Sequence, residues 1–165
     1  MLFRQAKISD LPAIMRIIEA AVSRMLSEGK CQWNENYPRD EHILADIGNG
    51  VGHVLEERGE VIAYGAVVFT GEPAYDCLEG DWLTNGRYVV VHRMAVDMQS
   101  QSRGVGRRFL NSVEHVAAQQ GIGSFRIDTN FDNDRMLALL ARCGFEFTGL
   151  VRYPTGERRA FEKLI

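Results

Sequence analysis

The chain has no excess of positive charge: 19 Lys and Arg stand against 22 Asp and Glu, a formal net charge of -3. That removes the broad positive field on which most nucleic-acid binders depend, although a local basic patch is still allowed. Long apolar runs are missing too. Stretches such as Val61 to Phe69 and Tyr88 to Val91 fall far short of the roughly 20 residues that span a bilayer, so no membrane partner is expected. Met1 to Asp10 carries Arg4, Lys7 and Asp10 among apolar neighbours. It lacks the apolar core and small-residue cleavage site of a secretory leader, which makes the cytoplasm the expected compartment. Cysteine is scarce: Cys31, Cys77 and Cys143 are odd in number, widely spaced and in no C-x-x-C pair. Neither a disulfide framework nor a zinc site is expected from them, and the thiols read as reduced.

What is present is ordinary globular composition, 45% hydrophobic and 25% charged over 165 residues. That fits one domain spanning 1–165 around one core. Leu2 to Ala6 alternates like a strand. Ser9-Asp10 before Leu11-Pro12 reads as an N-cap and a proline in the first turn of a helix running to about Leu26. Its apolar residues Leu11, Ile14, Ile17, Ile18, Val22, Met25 and Leu26 recur at three and four, which makes one core-facing stripe. Gly29 to Asn36 reads as a loop, and Arg39 to Ile47 as a short helix closed by Gly48 and Gly50. The period then changes to two: Val51 to Glu57 and Glu60 to Phe69 are strands joined at Arg58-Gly59, a hairpin signal. Gly71 to Gly86 is irregular. Tyr88 to Val96 is a strand leading to a helix over Gly104 to Gln120, then come a strand at Ser124 to Thr129 and a helix at Asp132 to Arg142 stopped by Cys143-Gly144. Phe145 to Tyr153 and Glu157 to Ile165 close the chain as a hairpin about Pro154-Thr155-Gly156. The order β-α-α-β-β-β-α-β-α-β-β predicts a mixed sheet flanked by helices.

Chemistry concentrates after Val96, in Gln101-Ser102-Arg103-Gly104-Val105-Gly106-Arg107-Arg108. Two glycines opening a helix make an anion site: unpaired N-H groups point outward, the helix dipole favours negative charge, and absent β-carbons let a diphosphate approach the backbone. Arg103, Arg107 and Arg108 add charge. The bland alternative is a glycine-tightened turn with a solvated basic face. A P-loop needs Lys and Ser or Thr after the second glycine, and a dinucleotide fold needs a third glycine where Phe109 stands, so ATP and NAD fit poorly. What fits is Q/R-x-x-G-x-G/A, by which the chain resembles the GCN5-related N-acetyltransferase family. A second signature of that family, an Asn opening a helix that ends in Gly-Phe, is matched by Asn133 to Phe145.

The resemblance implies an α/β fold of the α+β type, a mixed, mostly antiparallel sheet of about six to seven strands with about four helices. It implies acetyl-CoA as co-substrate and no metal. The pantetheine arm would pair with Met94, Ala95 and Val96, because free strand groups accept an amide-bearing extended ligand. The pyrophosphate would rest on the backbone amides of Ser102, Arg103, Gly104, Val105, Gly106 and Arg107, with Gln101 fixing the turn. Asn133 would touch the cofactor, or serve only as an N-cap. His92 is the candidate base, since an attacking amine must be neutral and histidine titrates near neutral pH; a hydrogen-bonded structural role is the alternative. Leu140 stands where many members carry a tyrosine acid, leaving Tyr153, Tyr88, water or no dedicated acid. Trp33, Tyr37 and Trp82 could wall an acceptor cleft, and Asp76, Glu79 and Asp81 could attract a cationic amine; core packing and a solvated acidic surface are the alternatives. The expected activity is acetyl transfer to a small-molecule amine, directly within a ternary complex, with no nucleic-acid partner. A non-catalytic acyl-CoA-binding module and a protein or peptide amine acetyltransferase remain as rivals. A homodimer is compatible with these motifs and not written in them.

Overall fold

The computed structural model describes residues 1–101 and 103–165. Four helices, α1 (Leu11–Ser27), α2 (Asp40–Gly48), α3 (Val105–Gln119) and α4 (Asp134–Arg142), accompany eight strands. The strands are β1 (Leu2–Gln5), β2 (Gly52–Glu57), β3 (Glu60–Val68), β4 (Glu79–Gly80), β5 (Val89–Val96), β6 (Ser124–Thr129), β7 (Glu146–Tyr153) and β8 (Gly156–Leu164). Their order in the sheet is β1-β2-β3-β5-β6-β8-β7-β4. Contacts divide the chain into two compact units, Met1–Val67 with His92–Ser112 and Val68–Val91 with Val113–Ile165. Among the described residues no helix is long and apolar enough to cross a membrane.

In the first unit β1 and β2 pair antiparallel, as do β2 and β3. The β2–β3 connection is the two-residue hairpin that the sequence signals, with both Arg58 (φ 54°) and Gly59 (φ 83°) left-handed. Such turns match the right-handed twist of the flanking strands. The stripe of α1 packs Ile14, Ile17 and Ile18 into a core with Trp33, Ile43, Val54, Tyr64 and Ala95. The Asp10 side chain does not cap α1. It closes the short 3-10 turn before it, accepting from the Lys7 amide at 2.7 Å and from the Arg4 guanidinium at 2.7 and 3.0 Å.

In the second unit β5 and β6 run parallel through Val89–Phe125 and Val90–Arg126, and β6, β8 and β7 continue antiparallel. The Gly71 to Gly86 segment is more ordered than its sequence suggests. It forms a 3-10 turn at Pro73–Cys77 and the strand β4, which pairs with β7. The sheet therefore has eight strands where the sequence implies six to seven. The cause is non-local: Gly80 (φ 143°) faces Gly149 (φ 149°), and a Cβ on either would collide with the backbone of the opposite strand. Only a glycine pair lets these two strands approach, and two residues are too short a run to show periodicity.

Candidate functional site

The segment from β5 to α3 lies in the first unit. Ala95 is buried at 6% exposure, whereas His92, Met94 and Val96 are partly exposed. Asp97, at the end of β5, accepts from the Gln99 amide at 3.1 Å and starts a 3-10 turn at Met98–Ser100. Gln101 Nε2 donates to the Val96 carbonyl at 3.4 Å, so its side chain folds the turn back onto the strand end. Ser102 lies outside the described residues.

Gly104 is left-handed (φ 74°), and among the described residues, its chain neighbours aside, no heavy atom stands within 4 Å of where its Cβ would be. Its backbone angle calls for glycine, while its outer face is open. Its carbonyl accepts from the Arg108 amide at 3.0 Å. The amides of Val105, Gly106 and Arg107 thus belong to the first turn, where helical geometry supplies no acceptor. Arg103, Arg107 and Arg108 are exposed beside them. Arg103 is tied to Glu57 at 2.7 Å, and that hydrogen bond holds the Glu57 carboxyl below its ordinary range. An open left-handed glycine and the first-turn amides thus stand at one helix end with three exposed arginines near in sequence, one of them paired with Glu57, a setting chemically suited to an anion.

Sequence reasoning misses the residue between His92 and Met94. Arg93 has φ 52° in the middle of a strand, where a non-glycine residue is rarely left-handed. Its Nε and Nη2 donate to the two carboxylate oxygens of Asp46 on α2 at 2.8 and 2.6 Å, and its Nη1 donates to the Tyr37 hydroxyl at 3.0 Å. The Tyr64 hydroxyl of β3 donates to the same carboxylate at 2.6 Å. Burial first, and then the hydrogen bond to Asp46, push the Tyr64 phenol well above its ordinary range, so it remains a donor. The available signal was a lone Arg inside an apolar strand and an Asp on the buried side of a short helix.

The second unit holds the other expected positions. Asn133 caps α4, accepting from the Met136 amide at 3.3 Å while its amide nitrogen donates to Thr129 Oγ1 at 3.0 Å. Leu140 is fully buried. The Tyr153 and Tyr75 hydroxyls both donate to Asp128 Oδ1, at 3.0 and 2.7 Å, and burial followed by Asp128 raises the Tyr153 phenol. The Tyr88 hydroxyl accepts from the Glu72 amide at 3.1 Å. A cavity of about 590 Å³ is lined by Phe69, Glu72, Asp76, Arg87 and Tyr88 among others. Of the acceptor residues considered from sequence, Asp76 lines it. Trp33 and Trp82 are packing residues: Trp33 sits in the first unit's core, and Trp82 packs on Tyr75 and under the Arg126 guanidinium.

The sequence profile of the acetyltransferase (GNAT) family matches residues 18–145. A crystal structure of a GNAT-family acetyltransferase from Streptococcus agalactiae 2603 is 33% identical, with TM-score 0.90 over 99% of this chain and 95% of that one. A GNAT-family acetyltransferase from Listeria monocytogenes 4b F2365 superposes with TM-score 0.77 at 18% identity, over 99% of this chain and 94% of that one. The ribosomal-protein-alanine N-acetyltransferase of Brucella melitensis does so with TM-score 0.72 at 21% identity, over the whole of both chains (100% and 100%). The last two likenesses speak for the fold alone. No protein of curated function matches.

Proposed function

The chain belongs to the acetyltransferase (GNAT) family, and on that premise we propose that it is an acetyl-CoA-dependent N-acetyltransferase acting on the amine of a small molecule by direct transfer in a ternary complex. The observation that carries this reading is the turn at Gly104, left-handed, open on its outer face and leading directly into the first turn of α3. Its backbone would hold the pyrophosphate from residue 102 to Arg107, and the edge at Met94, Ala95 and Val96 would take the pantetheine amides. Asn133 would add the cofactor contact that the family resemblance implies. Residues 1–165 would work as one catalytic domain, located in the cytoplasm.

Acetyl-CoA supplies a thioester carbonyl. The amine nitrogen forms the new bond to that carbon, the carbon–sulfur bond breaks, and the amine proton passes to His92 or to water next to it. Direct attack is preferred because no thiol is placed as a nucleophile: Cys143 is buried at the end of α4, Cys31 is an exposed loop residue and Cys77 is exposed at the end of the 3-10 turn. With Leu140 buried and Tyr153 engaged by Asp128, the departing thiolate is left with Tyr88, water or no dedicated acid, and positioning alone can support the last.

Thermal-shift titration with acetyl-CoA, CoA, ATP and NAD, followed by thiol release against small amines and peptide N-termini, tests the reading. At a hundredfold excess over its dissociation constant a bound nucleotide stabilises the fold by about 2.7 kcal/mol. The shift is expected with both CoA species and not with ATP or NAD. Gly104→Glu should abolish it by adding a carboxylate to the cradle. A folded wild type that gains nothing from CoA defeats the proposal. Tight binding with no thiol release from any amine would assign a non-catalytic acyl-CoA-binding module instead, and release with peptides alone would move the acceptor to protein termini.

A further inference from the structure

We propose that Arg93, gripped by Asp46 and Tyr37 and backed by Tyr64, is a positioning residue. It holds β5 in a left-handed kink between His92 and Met94, so that the backbone beside the reaction is set before substrates arrive. The role rests on the acetyltransferase reading, which is what places the reaction next to these residues.

The argument starts from the backbone. Among the described residues two non-glycines are left-handed, Arg58 and Arg93. Arg58 sits in a two-residue hairpin, where the turn demands that angle. Arg93 sits inside an eight-residue strand, where nothing local demands it. A β-carbon in that region is strained, and such a residue persists only where its surroundings over-determine it. The surroundings here do so. All three guanidinium nitrogens are used, two on both oxygens of one carboxylate and one on a phenol. The carboxylate side chain is 7% exposed and receives a further hydrogen bond from the fully buried Tyr64. The partners come from three different places in the chain: the loop before α2, α2 itself and β3.

A buried ion pair is weak evidence of stabilisation, because desolvation consumes much of its Coulomb gain. A planar fork engaged at every nitrogen does fix direction, which a lysine at the same place could not do. The direction it fixes belongs to the residue whose angle interrupts the period-two alternation of the strand. The interruption falls between the candidate base His92 and Met94, the first residue of the candidate pantetheine edge. Transfer without a dedicated acid depends on near-attack geometry, and a 1 Å misplacement can cost about a hundredfold.

The test compares Arg93→Ala with Arg93→Gly, each in an Asp46→Asn background so that no buried carboxylate is left unpaired. Glycine adopts positive φ freely and alanine does not. Amide hydrogen exchange of residues 92–95 is read on the unloaded protein, and kcat and KM for acetyl-CoA are read at saturating amine. The expected result is faster exchange and a ~10- to 100-fold lower kcat in the alanine variant with KM little changed, both partly restored by glycine. If alanine performs as well as glycine or better in both readouts, the arginine only packs and the proposal is overturned. Should these variants fail to fold, Tyr37→Phe, which removes one acceptor at the clamp's edge, must lower kcat and speed exchange; no change in either overturns it. The exchange ordering decides the clamp even if the wild type acetylates no amine, whereas that failure of turnover counts against the acetyltransferase reading.

Discussion

Each unit of the molecule has a carboxylate buried against an arginine, Asp46 with Arg93 in the first and Glu162 with Arg126 in the second, and the two pairs have different consequences. In the second unit Glu162, fully buried, accepts from Ser124 Oγ at 2.5 Å, Thr84 Oγ1 at 2.6 Å, the Leu83 amide at 2.5 Å and Arg126 Nε at 3.3 Å. Arg126 lies in the regular β6 ladder, stacked between Trp82 and Tyr88 with its carbon 4.2 and 4.0 Å from the ring centres. That pair pins the segment around Leu83 and Thr84 to β6 and β8, and its neighbours have ordinary backbone. Asp46 and Arg93 use the same chemistry where the backbone is not ordinary. Burial alone says that each pair was expensive to desolvate; the backbone angle separates an anchor from a device that aims a strand.

The sharpest break of this comparison is Glu162→Ala. It leaves the buried Arg126 charged without its carboxylate partner and strands three further donors, so unfolding in denaturant should show a loss of about 3–5 kcal/mol. The kcat of the molecules that remain folded should match wild type. Asp46→Asn should cost less, about 1–3 kcal/mol, because the amide still accepts from Tyr64 and part of the fork survives. Its kcat should nevertheless fall. If Glu162→Ala lowered kcat per folded molecule and Asp46→Asn did not, the contrast between anchor and aiming device would be reversed.

A finer version removes one donor from each hub. Tyr64→Phe and Ser124→Ala each delete a hydroxyl bonded to the buried carboxylate, and each should cost about 1–2 kcal/mol of stability. Matched stability losses with a kcat effect in Tyr64→Phe alone would separate the two roles at nearly constant energetic cost. Equal kcat effects would mean that any weakening of the core is felt by the reaction.

How far these hubs could be read from sequence depends on where their causes lie. The Arg58-Gly59 hairpin and the Gly104 turn are local: the residues that need the unusual angles announce themselves beside their neighbours. The N-cap at Asn133 is local too. Asp10 shows the limit of that reasoning, because Arg4 and the Lys7 amide draw its carboxylate away from the helix it precedes. The left-handed angle at Arg93 has no local signature at all. It is imposed by Asp46 and Tyr37, 47 and 56 positions away in the chain, so Tyr88 to Val96 reads as a plain strand. The β4 strand is hidden for the same reason, since Gly80 makes sense only opposite Gly149. The glycine turn was therefore legible and the kink at Arg93 was not.

The smallest effects should appear in the pH dependence of stability, and they too divide by unit. His53 on β2 is pushed below its ordinary 6.5 by burial, against the opposing hydrogen bond to the Val51 carbonyl. The unfolded chain therefore takes up a proton before the folded one does, and stability should begin to fall as pH drops below 6.5. Glu162 is pushed up by burial, but the hydrogen bonds from Ser124 and Thr84 and the charge of Arg126 outweigh that and hold it below its ordinary 4.5. Its contribution is complete above 4.5 and is lost as pH falls through the lower folded value. Urea titrations from pH 8 to pH 3 should then show a shallow upper limb that His53→Gln removes and a steeper acid limb that Glu162→Gln flattens in part. The flattening is partial because Asp10, hydrogen-bonded to Arg4 in the first unit, is held low as well. An acid limb that survives Glu162→Gln at full slope would place the acid sensitivity in the first unit, and the anchor of the second would then contribute through its packing and neutral hydrogen bonds rather than through its charge.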